Sequence, residues 1–156
     1  MQQKSDPYLK LKPRGTTPPE DRCTCSELHA VYLAHVLTDN PIQCLSCRGE
    51  VPPERIGFDS EVTELIANWN TVYGSVYALW LDSGEYESWA ETELLGKDSP
   101  INVRGMTARK KLSEYVPTKY LWFWSESKPV QCPICSSTLQ IVDGDRVGCN
   151  SCEVLA

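Results

Sequence analysis

Histidine is scarce, familiar catalytic signatures are missing, and long apolar runs do not occur in this chain. His29 and His35 are its only histidines, and both fall between two cysteine pairs. That leaves none elsewhere for general-base work. The sequence has no phosphate-binding P-loop, no G-x-S-x-G elbow and no G-x-G-x-x-G turn. Nothing singles out a hydrolytic acid pair such as Glu85 with Glu91. No apolar stretch approaches the length needed to cross a bilayer, and Met1 to Tyr8 lacks the apolar segment of a signal peptide. These absences predict a cytoplasmic protein that is neither an enzyme nor membrane-bound.

What is present is cysteine, eight of them in four close pairs. Cys23-x-Cys25 and Cys44-x-x-Cys47 stand near the start, and Cys132-x-x-Cys135 and Cys149-x-x-Cys152 near the end. In a reducing compartment such pairs read as metal ligands rather than disulfides. Four thiolates complete the tetrahedral shell of Zn²⁺. Two structural zinc ions are therefore expected, one on Cys23, Cys25, Cys44 and Cys47, the other on Cys132, Cys135, Cys149 and Cys152. In the first set His29 or His35 could replace a cysteine.

The second set has the form of a zinc ribbon. Thirteen residues separate Cys135 from Cys149. Within them Thr138 to Val142 is β-prone, Asp143-Gly144 is a hairpin turn signal, and Arg146 starts the return strand. Its apolar content is small, with Leu139, Ile141 and Val147 as candidates for burial. The ribbon is thus expected to depend on its ion, while the centre of the chain keeps its tryptophan environment without it.

The cysteine-free centre holds most of the aromatic residues. Val62, Leu65, Ile66, Trp69 and Tyr73 follow helical spacing from a cap at Ser60, with Gly74 as the stop. Ser75 to Leu81 and Tyr86 to Ala90 read as strands joined by Asp82-Ser83-Gly84-Glu85. Ser99-Pro100 opens a second helix reaching about Tyr115, and Lys119 to Trp124 reads as a strand with Tyr120, Trp122 and Trp124 on one side. The predicted fold is α+β, a small antiparallel sheet with two helices, flanked by an N-terminal four-cysteine zinc module and a C-terminal zinc ribbon. The corresponding division is a flexible arm over 1–22, the zinc module over 23–57, the core over 58–128 and the ribbon over 129–156.

The succession Cys44-Leu-Ser-Cys47-Arg-Gly-Glu-Val-Pro-Pro, a helix with Trp69 and Tyr73, Asp82-Ser-Gly-Glu85, a basic helix, Tyr120-Leu-Trp-Phe-Trp124, Cys132-Pro-Ile-Cys135 and Cys149-Asn-Ser-Cys152 resembles a bacterial family. Its members are zinc-ribbon-containing proteins of unknown function for which nucleic-acid binding has been suggested. The resemblance implies metal binding at Cys44, Cys47, Cys132, Cys135, Cys149 and Cys152. It leads one to expect a basic residue after the last pair, where this chain has Glu153.

Charge points elsewhere. The chain carries 15 basic and 21 acidic side chains, a net charge of −6. Residues 59–98 contain Asp59, Glu61, Glu64, Asp82, Glu85, Glu87, Glu91, Glu93 and Asp98 against Lys97 alone. Residues 104–128 are basic, through Arg104, Arg109, Lys110, Lys111, Lys119 and Lys128 against Glu114 and Glu126. An acidic, aromatic protein suits a basic protein partner. The expected function is a non-catalytic zinc protein acting as an adaptor, inhibitor or immunity-like interaction module. The alternative is a nucleic-acid-binding ribbon protein of transcription or RNA/DNA metabolism. It would use Arg109, Lys110 and Lys111 for phosphate and nearby aromatics for base stacking.

Overall fold

Asp59, one residue before the expected cap, starts the first helix by accepting the Val62 N–H at 3.0 Å. From there α1 runs Ser60–Asp82 without interruption. Val62, Ile66, Trp69, Tyr73 and Val76 form its buried stripe, alternating steps of four and three residues. Gly74 does not stop it. A Cβ at that position would lie 2.8 Å from Cε1 of His35, so this glycine admits the imidazole against the helix. The structure, a computed structural model, describes residues 6–12 and 17–156.

The segment expected as two strands is helical. Ser75 to Leu81 continues α1, and Glu87–Leu95 forms α2. Two factors override the β-propensity of Val76, Tyr77 and Trp80. The apolar stripe of α1 continues through Val76, and Ala90 and Leu94, four apart on α2, are both fully buried. Helix α3, Pro100–Leu112, begins with Ser99 accepting the Asn102 N–H at 3.4 Å and with Pro100 in its first turn.

Strands β1 (Val31–Leu33), β2 (Ile42–Cys44), β3 (Thr118–Leu121), β4 (Gln140–Asp143), β5 (Arg146–Cys149) and β6 (Val154–Leu155) make one six-stranded sheet. The order is β2-β1-β3-β6-β5-β4. Strand β3 is parallel to both β1 and β6, while β1/β2, β5/β6 and β4/β5 are antiparallel. The architecture is α+β, as expected, but the sheet is mixed rather than antiparallel. Nor do the cysteine modules flank a separate sheet. Among the described residues they supply every strand except β3.

Alternation along the strands sorts the two faces. Val31, Leu33, Tyr120 and Val154 join the main core beneath the helices, whereas Tyr32 and Leu155 join a smaller cluster with Leu45, Leu121 and Val142. The strand expected over 119–124 ends at Leu121; Tyr120 and Trp122 are buried, and Trp124 is 41% exposed.

Part of the arm expected over 1–22 is packed against the core, through Tyr8 and Leu11, while residues 18–22 are exposed. Leu11 is fully buried in the core, and Tyr8 rests edge-on against Phe58 at 4.9 Å while its hydroxyl donates to the Phe58 carbonyl. Residues 1–5 and 13–16 of that arm lie outside the described residues.

One buried polar chain ties the helices to the sheet. Trp69 Nε1 donates to Tyr120 Oη at 3.2 Å, and that hydroxyl donates to Asn102 Oδ1 at 2.9 Å. Asn102 Nδ2 then donates to the carbonyls of Leu94 and Gly96 at 2.9 and 2.8 Å, where α2 ends. Burial holds the Tyr120 phenol well above its usual pKa, so it stays a donor. Gly105 makes room for this chain, since a Cβ there would stand 2.6 Å from Trp69 Nε1 and 2.7 Å from Tyr120 Cζ.

Gly105→Ala is therefore expected to destabilise the fold by about 1–3 kcal/mol of overpacking, despite the better helix propensity of alanine. Urea unfolding checks this, as a lower midpoint with an unchanged slope. An equal or higher midpoint would show that the rings can move aside.

Candidate metal centres and the acidic surface

Each cysteine pair sits on a backbone turn that aims its sulfurs to one side. After Cys44 the chain folds back so that Cys44 N–H donates to the Gly49 carbonyl at 2.8 Å and Arg48 N–H to the Cys44 carbonyl at 2.9 Å. Cys132 repeats the arrangement, donating to the Ser137 carbonyl at 2.8 Å and accepting from Ser136 N–H at 2.9 Å. The residue after each of these turns has positive φ, 63° at both Arg48 and Ser136, and Glu153 after Cys152 has φ of 58°. The three C-x-x-C pairs thus share one knuckle geometry. Cys23-x-Cys25 precedes β1 in a different turn, held to the first knuckle by Cys23 N–H donating to the Glu50 carbonyl at 2.9 Å.

These turns gather the eight thiols into two groups, Cys23, Cys25, Cys44 and Cys47, and Cys132, Cys135, Cys149 and Cys152. Within each group the sulfurs lie within 4.8 Å of one another. All eight cysteines are free of disulfide bonds. Thiolates around an ion at about 2.3 Å form a tetrahedron with edges of roughly 3.8 Å, and Cys135 Sγ lies 3.7 Å from Cys149 Sγ. Each cluster could hold one metal ion. Neither histidine joins them. His29 is exposed, with Nε2 3.5 Å from a Glu27 carboxylate oxygen. His35 bonds through Nδ1 to Asn70 Oδ1 at 3.0 Å and packs between Tyr73 and Tyr77.

Proton sharing shows why four such thiols call for a cation. At Cys23, burial opposes ionisation, but the Cys25 N–H and the neighbouring thiols outweigh it and bring the pKa to about 7. Cys25, beside Cys47 and Cys23, is pushed to about 12. In the second cluster the Ser137 hydroxyl and N–H, with the Cys152 thiol, bring Cys135 to about 6. Burial and the Cys135 thiol push Cys152 to about 12. Each cluster holds its first negative charge easily and its last very poorly; a divalent ion held there would supply the missing compensation. Around the first cluster, Arg55 Nη1 donates to Cys23 Sγ at 3.3 Å and Gly49 N–H to Cys47 Sγ at 3.4 Å.

The basic residues named for nucleic-acid contact sit near α3's end. Arg109 Nη1 donates to the Thr118 carbonyl at 3.3 Å, Lys111 faces Glu114 at 3.8 Å, and Lys110 is exposed. Of their aromatic companions Tyr120 and Trp122 are in the core, while Tyr115 and Trp124 are exposed. Ahead of Tyr115 at 43% and Trp124 at 41%, the most exposed aromatics are on α2 and its approach, Tyr86 at 55% and Trp89 at 52%. Asp82, Glu85 and Glu87 around them are exposed, and Glu91 on the other flank bonds to Ser125 Oγ. Reading 86–90 as a strand hides this surface; the helix-favouring run Glu87 to Leu95, with Ala90 and Leu94 four apart, was the signal for it. Among the described residues no helix is long and apolar enough to cross a membrane.

Two outcomes follow. Metal addition to metal-free protein at neutral pH should release protons, since Cys25 and Cys152 must ionise. The apparent affinity should then fall as pH drops through the range of about 7 to 6 where Cys23 and Cys135 take up protons. Calorimetry in buffers of different ionisation enthalpy reads this, and an absence of net release would exclude tetrathiolate binding. Cys149→Ser should disturb more than the ribbon, because β6 is bonded to β3 through Tyr120 N–H to the Glu153 carbonyl and Trp122 N–H to the Leu155 carbonyl. Tryptophan emission should shift to the red in this variant; unchanged emission would mean that the ribbon unfolds alone.

Comparison of the chain with protein-family models, with curated proteins and with solved structures gives no match to any of them.

Proposed function

We propose that this chain is a non-catalytic cytoplasmic protein in which two structural Zn²⁺ ions hold a scaffold for binding a basic protein. The observation that carries this reading is the composition of the α2 surface. Tyr86 and Trp89 are half-exposed among Asp82, Glu85 and Glu87, and no lysine or arginine lies between Arg55 and Lys97. Exposed aromatic side chains supply anchoring area, and a field of one sign speeds encounter with a partner of the other. Zinc suits four-sulfur donor sets, which leave no open position for a substrate.

The nucleic-acid alternative draws on the basic stretch 104–128 and on the resemblance to ribbon proteins. It is the weaker reading, because the chain is acidic overall at a net charge of −6 and two of the stretch's aromatics, Tyr120 and Trp122, are buried where stacking needs accessible rings.

Protein purified without added metal should contain two zinc ions per chain. A reproducible value near one would remove one cluster from the reading, and iron would replace the metal. Lysine- and arginine-rich peptides should bind, with affinity falling as salt rises. Tyr86→Ala with Trp89→Ala should remove most of that affinity. The proposal is overturned if oligonucleotides bind tightly at physiological salt and Arg109→Ala, Lys110→Ala and Lys111→Ala together abolish it.

A further inference from the structure

A cavity of about 470 Å³ opens beside α2, on the flank away from Trp89. Its walls include Glu91 and Leu95 of α2, Trp124 and Glu126 of the segment leaving β3, and Pro129 and Pro133 near the third cysteine pair. On α2, Glu91 and Leu95 are four residues apart and so share the face that lines this cavity. The cavity is neither purely acidic nor purely apolar. Apolar side walls with carboxylates at the rim suit a side chain that has a methylene stem and a charged head.

An independent observation shows what the Trp124 ring accepts. Lys128 Nζ stands over it at 5.8 Å from the ring centre, within the reach of a cation–π interaction. The same ammonium group donates to the Asp145 carbonyl in the ribbon turn. The position of α2 against this wall is fixed by Trp122 Nε1, which donates to the Leu95 carbonyl at 3.3 Å. The Ser125 hydroxyl donates to the Glu91 carboxylate, which keeps that acid at the rim.

We propose that this groove seats one arginine or lysine side chain of the basic partner, over Trp124 and between Glu91 and Glu126, with Lys128 as the intramolecular cation it displaces. The inference rests on the interaction reading above and deepens it. Recognition would then require a cation at one position, not positive charge in general.

The test uses the full chain with its metal and a short glycine–serine peptide carrying a single arginine, beside the same peptide with glutamine. Indole N–H resonances are followed by NMR, with Trp124 assigned from Trp124→Phe. The arginine peptide should shift the Trp124 resonance and the glutamine peptide should not. Trp124→Leu should weaken binding on the order of tenfold, and Glu126→Gln, a milder change, should weaken it several-fold. Lys128→Ala should strengthen it by freeing the ring. If basic peptides shift Trp89 and leave Trp124 unmoved, the groove assignment fails while the surface reading stands. If no basic peptide binds, both fail. Weaker binding by Lys128→Ala would overturn its role as the displaced cation.

Discussion

Strand β3 is the constraint on which the rest of this structure depends. It is parallel to β1 on one side and to β6 on the other, and a parallel neighbour requires a long crossover connection. The connection from β1 to β3 contains β2, the first knuckle and all three helices; that from β3 to β6 contains the ribbon hairpin. Without β3 the sheet would divide into a two-stranded and a three-stranded piece, the former too small to persist in water. The cysteine clusters close the loops that deliver β1 and β6 to their places. A metal ion held by either cluster would therefore be coupled to formation of the sheet.

The helices are held to that strand through polar groups as much as through apolar area. Tyr120 on β3 accepts a hydrogen bond from Trp69 and donates one to Asn102, whose amide fastens the end of α2. Helix α2 is short and buries only Ala90 and Leu94 in full. A helix of that length is marginal by itself. Fastened at its end, it can carry exposed aromatic and acidic residues that make no contribution to the core. The surface proposed for binding is therefore positioned by a buried amide some distance behind it.

The cysteine sets were legible because ligand spacing is a short-range property and sulfur has few competing roles in a reduced chain. The ribbon hairpin was legible for the same reason: its turn lies at Asp143 to Arg146, as the Asp-Gly signal implies. The stretch 75–90 was not. Its aromatic and β-branched residues favour strands locally, and Gly74 has the look of a stop until His35, distant in sequence, is placed against it. The continuity of the sheet was hidden too, because Val31 pairs with Thr118 and Tyr120 with Val154, registers no local pattern encodes. Ile141, expected to be buried, is 78% exposed on edge strand β4, while Leu139 and Val147 do turn inward.

The residues that follow the knuckles show how far the two ends of the chain are built for each other. Left-handed backbone costs a non-glycine residue roughly 1–2 kcal/mol, yet Arg48, Ser136 and Glu153 all adopt it. Two of the three use the resulting direction for a long-range contact. Arg48 reaches across to Asp145 at 2.6 Å and Asp143 at 3.4 Å in the ribbon turn. Glu153 meets Lys119 of β3 at 2.8 Å. Beside them, buried Arg146 bonds through Nε to Asp143 at 2.9 Å, donates to the Leu45 carbonyl of the first knuckle and lies 5.1 Å from the Tyr32 ring centre. A basic residue in place of Glu153 would set two cations together at Lys119. The acid at that position thus belongs to the joining of ribbon and sheet.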